Sequence, residues 1–193
     1  MSLKVTFELG ESDLKHFRLI MREARNAAKD MSHDDILDAA RALLDEVKAA
    51  NVPEFILTRL SRLETMINMV VDEEWRLPKS EANRVLNALA YFTEPEDLIP
   101  DHIPGLGFLD DAIMVELVVR ELRHEIEAYE DFAEFRAREE KRRKASGKSE
   151  VTREEWLRAR RSELHSRMRR RRRRDRSGRR RGGRSPFSLL PGG

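Results

Sequence analysis

Asp97-Leu-Ile-Pro-Asp-His-Ile-Pro-Gly-Leu-Gly-Phe-Leu-Asp-Asp111 is the stretch on which the reading of this sequence turns. Residues 93–109 hold three prolines and two glycines in 17 positions, so no single helix can run through them. The same segment carries Leu98, Ile99, Ile103, Leu106, Phe108 and Leu109. A connection that apolar is expected to pack onto a core rather than extend into water.

Helical patterns lie on both sides of it. Upstream, Ala82, Val85, Leu86, Leu89 and Phe92 share one face of a helix expected from about 79 to 92. Before that, Ile56, Leu60, Leu63, Ile67 and Val70 align over 53–75, with Met66, Met69 and Val71 widening the face. This broad apolar surface marks the most central helix, and the two methionines read as core filler. A helix over about 32–50 opens with Ser32 and Asp35 in a capping-box arrangement. Leu14, Phe17, Met21, Ala24 and Ala28 give a stripe over 12–29. Leu3, Val5, Phe7 and Leu9 alternate with polar residues, which predicts a short extended N-terminal arm ending at Gly10. Downstream, Val115, Val118, Leu122, Ile126, Tyr129 and Ala133 predict one long helix over 110–142.

Charge is segregated. Residues 151–193 hold 16 Arg and 4 acidic residues, a net +12, whereas residues 1–150 hold 22 basic and 32 acidic residues, a net −10. The absence of cysteine excludes disulfides, thiolate metal sites and cysteine nucleophiles. No run of about 18 apolar residues occurs, so a conventional membrane span is not expected, and the N-terminus lacks the apolar core of a secretory signal. The expected localisation is cytoplasmic, with attachment to the membrane periphery as the alternative.

The motif at 97–111 resembles the signature of the YkvA-like family of helical domains of unknown function. It has the Asp-Leu-Ile-Pro-Asp stretch, the Ile-Pro turn, a Gly, and a closing Leu-Asp-Asp before an apolar helix. The resemblance covers residues 80–120. It implies an α-helical fold and brings no established activity or cofactor; some members are membrane-associated. Physically, Pro100 and Pro104 fix φ, Gly105 and Gly107 permit turns, and Asp97 and Asp101 can accept turn amides. Asp110 is placed to cap the following helix, and Asp111, four residues before Val115, projects along its apolar stripe. The alternative is that Asp97, Asp101, Asp110 and Asp111 hold a divalent cation such as Mg²⁺ or Ca²⁺. Glu121-x-x-His124 matches half of a di-iron motif. His124 lies two residues past Leu122, about 200° around the helix, and is expected to face water. No nucleophile elbow, Walker sequence or zinc-protease motif occurs.

The tail carries the second signal. Thr152 and Glu155 suggest a capping box for a short helix with Trp156, Leu157, Leu164 and Met168 on a thin apolar side. Arg169, Arg170, Arg171, Arg172, Arg173 and Arg174 are consecutive, and Arg179, Arg180, Arg181 and Arg184 follow. Such a run is expected to stay disordered until neutralised. Its guanidinium forks suit phosphate oxygens, so non-specific nucleic-acid binding is the expected partner chemistry. An anionic phospholipid surface, with Trp156 at its interface, is an alternative. Folding back onto the chain's own acids, self-association and docking of another protein are others.

The sequence therefore predicts an all-α chain: a single helical bundle of about five helices over residues 1–140, with an extended N-terminal arm. Residues 141–193 would form a basic linker, a short amphipathic helix and a disordered Arg-rich tail. The expected function is that of a non-enzymatic interaction or scaffold module.

Overall fold

A computed structural model describes residues 8–50, 52–93, 99, 107–146 and 151–181. Among these the fold is all-α. The helices are α1 (Glu11–Ala27), α2 (His33–Ala49), α3 (Glu54–Val71), α4 (Lys79–Leu89), α5 (Leu109–Glu121), α6 (Arg123–Ser146) and α7 (Val151–Arg181). Short 3-10 turns follow α1 at Ala28–Asp30 and α4 at Ala90–Thr93. The chain divides into two compact units, Met1–Leu122 and Arg123–Gly193.

In the first unit, α3 packs against α2, α4 and α5, which makes it the central helix its sequence predicts. Ile56, Leu60, Leu63, Met66 and Met69 are all fully buried. Five such side chains contribute about 10 kcal/mol of transfer free energy as an upper figure. α2 is capped as its sequence predicts: the Ser32 hydroxyl accepts the Asp35 amide at 3.1 Å, and Asp35 accepts the Ser32 amide at 3.2 Å. α3 ends at Val71 rather than near Trp75. There Asp72 Oδ1 accepts the amides of Glu74 and Trp75 at 2.9 and 3.0 Å, and this side-chain competition turns the backbone out of the helix. The turn drives Trp75 into the core, and Arg76 follows with a left-handed φ of 48°.

One expectation falls largely outside the described residues, and two change. Residues 1–7 of the N-terminal arm lie outside the described residues, and Glu8 and Leu9 belong to no strand. The long helix expected over 110–142 is two helices, because Leu122 leaves the helical region (φ −99°, ψ 11°) with its side chain fully buried. No proline or glycine marks that break. The short helix expected from Thr152 through Met168 is present, whereas the disorder expected of the Arg run is corrected over 169–181, where the same helix continues; it packs on α6 within the second unit. α7 begins at Val151, one residue ahead of the expected cap Thr152.

A helix through six arginines has a physical reason. Arg is among the better helix formers, and consecutive residues point about 100° apart, so the six charges do not share one side. On α7, Leu157, Arg161, Leu164, Met168, Arg172 and Asp175 recur at spacings of three and four; on α6, Glu125, Tyr129, Phe132, Arg136 and Glu139 do the same. Leu157, Leu164, Met168 and Phe132 are fully buried, Ile126 and Tyr129 nearly so. The seam is thus apolar in its middle and charged towards the Arg run.

Candidate functional site

The signature turn meets α5 at Phe108, which takes the N-cap position with a left-handed backbone (φ 61°, ψ 13°). A bulky residue in that region costs about 1–2 kcal/mol, and burial of its ring offsets the strain. Asp110, expected at the cap, sits instead inside the first turn of α5 and is 1% exposed. Its Oδ2 accepts the Ile99 amide at 3.2 Å, so it ties the two ends of the signature together beside the positive end of the helix dipole. Asp111 is also buried, and Gly107 lies buried in the turn. Asp97, Pro100, Asp101, Pro104 and Gly105 lie outside the described residues. Among the described residues no three His, Asp or Glu side chains form a metal-holding group.

The second unit carries the stronger electrostatic feature. Descending α6 while ascending α7, Glu140 meets Arg153 at 2.7 Å, Asp131 meets Arg167, Glu127 meets Arg171 at 2.7 Å, and Glu125 meets Arg172 at 3.0 Å. Glu125 is the buried member, its side chain 1% exposed. Asp175 reverses the polarity: it accepts from Arg123 and from His124 Nε2, the latter at 2.9 Å. These partners, His124 first, hold the Asp175 carboxyl below the ordinary aspartate range.

His124 therefore does not face water as expected; its side chain is 12% exposed. The helical phase of Val115 and Val118 does not run on past Leu122, because the helix stops there and restarts at Arg123. Trp156 also differs from a side chain held ready for an interface. It packs edge-on against Phe135 with ring centroids 5.2 Å apart, and Arg143 lies over its ring.

This ladder occupies one side of the Arg run and leaves the other. Arg169, Arg170, Arg173, Arg174 and Arg176 form no ion pair among the described residues, and all but the half-buried Arg169 are exposed. They fall into two rows at helical spacing, 169–173–176 and 170–174, spanning about 10 Å of axis. Arg179, Arg180 and Arg181 continue the helix, while Arg184 lies outside the described residues. The sequence disclosed the density of positive charge. It did not disclose which arginines are already neutralised, because that depends on the facing helix.

The family whose description reads "Protein of unknown function (DUF1232)" matches residues 84–117, which include α4 from Arg84 onward and most of α5. Over 77 residues the chain is 35% identical to an "Uncharacterized membrane protein YkvA" of Bacillus subtilis (strain 168), covering 37% of this chain and 71% of that protein. No solved structure matches.

Proposed function

The chain belongs to the YkvA-like family of proteins of unknown function, and from that premise we propose that it is a non-enzymatic module that attaches to anionic membrane surfaces through the outer face of α7. The observation that carries this reading is the division of the Arg run into a side neutralised by α6 and a side of five arginines with no carboxylate partner among the described residues. A helix held on a rigid partner presents those charges at fixed spacing, so little ordering entropy opposes their engagement.

The relative's description as a membrane protein favours a phospholipid surface over a nucleic acid. No helix among the described residues is long and apolar enough to cross a membrane. Adsorption would then be electrostatic, at about 1 kcal/mol for each arginine near an anionic leaflet, so five contribute about 5 kcal/mol. That is between three and four decades in partitioning. The acidic first unit, at 14 basic against 24 acidic residues, would be repelled by the same surface.

Co-sedimentation of the full chain with phosphatidylserine-containing vesicles tests this. Binding is expected at low salt, to fall as salt rises, and to be absent with pure phosphatidylcholine. Replacing Arg169, Arg170, Arg173, Arg174 and Arg176 with Ala should lower partitioning about 1,000-fold. Retention of RNA with no retention on vesicles would replace this reading with nucleic-acid binding.

A further inference from the structure

α5 is apolar on two sides. Its inner side places Met114, Val115 and Val118 at zero exposure. Its other side places Leu109, Ile113 and Leu117, all half-buried, along a groove of about 380 Å³ that Leu9 and Leu14 also line. The first of these sides is covered by the core, whereas the second borders an open groove. The volume falls in the range of about 300–1,000 Å³ typical of small-molecule sites. The floor offers no hydroxyl, amide or aromatic group; the polar side chains of the lining are all charged.

Those charges are not equivalent. Glu116 accepts from Arg120 Nε at 2.9 Å. Arg59 donates one N–H to the Phe55 carbonyl at 3.1 Å and makes no ion pair among the described residues, which leaves its fork able to take an anion. Glu8 supplies an opposing charge, so the rim favours a compact anionic head at Arg59 and disfavours an extended polyanion.

We propose that this groove binds one single-chain amphiphile, a fatty acid, with its chain along Leu109, Ile113 and Leu117 and its carboxylate on Arg59. The site lies wholly within the first unit and is independent of the arginine face of α7. Calorimetric titration of the full chain with decanoate, below its micelle range, should give saturable binding at one site. Leu117→Asp should abolish it, and so should Ile113→Trp, which fills the groove with apolar bulk. Arg59→Ala should weaken decanoate about tenfold, the loss of one charge-assisted contact, and leave decanol unchanged. The chain with Ala at the five α7 arginines should bind decanoate as the parent does. Absence of saturable binding, or binding that survives both groove substitutions, overturns the proposal. So does decanoate binding that disappears with the α7 arginines.

Discussion

The two units bury their helices with different chemistry. In Met1–Leu122, the faces around α3 are almost wholly aliphatic, and the buried acids Glu81, Asp110 and Asp111 sit at helix starts. In Arg123–Gly193, an apolar middle gives way to Glu125–Arg172 and the cross-helix ladder beside it, with Arg161 and His165 also buried. Apolar burial is not weakened by charge screening, and excluded salts strengthen it; ion pairs at the surface are screened within about 10 Å at 0.1 M. The first unit should therefore be the stable body, and the second a helical hairpin whose grip depends on ionic conditions.

Substitutions sharpen that contrast. Leu60→Ala removes a fully buried side chain from the central helix and should cost the first unit about 3–4 kcal/mol, read as a lower midpoint in urea. Arg172→Ala should cost the second unit about 3 kcal/mol, since it leaves Glu125 buried beside a lost partner. Arg173→Ala, one residue along, should cost no more than about 0.5 kcal/mol of stability yet weaken vesicle binding. Equal effects of Arg172→Ala and Arg173→Ala on stability would erase the distinction between the two sides of α7. Ser32→Ala should cost the first unit about 1 kcal/mol through its lost cap.

The smallest effect is a titration. Because Asp175 has a lowered pKa, its share of hairpin stability is present at and above the ordinary aspartate range. That share is lost only as pH falls through the lowered value. An NMR titration of its carboxyl should find a midpoint below that of an ordinary aspartate. His124→Ala, which removes the largest cause, should bring that midpoint back up.

What the sequence disclosed follows from the range of the interactions involved. The Ser32–Asp35 cap and the face of α3 are local patterns, and both stand as read. The early stop of α3 hangs on one carboxylate, Asp72, competing for two amides, which periodicity does not register. The break at Leu122 has no helix-breaking residue, and missing it turned His124 to the wrong side. The disorder expected of the Arg run failed over 169–181 for a different reason. Counting like charges treats the Arg run alone, whereas Glu127 and Glu125 lie 44 and 47 residues in sequence from Arg171 and Arg172 and meet them only once the hairpin closes.

The Arg run is a folded helix, neutralised on one side and open on the other. Amide hydrogen exchange of the full chain at low salt tests that directly. Residues 160–176 should be protected, with protection falling as salt rises while α3 is unchanged. Rapid exchange throughout 160–176 at low salt would contradict it.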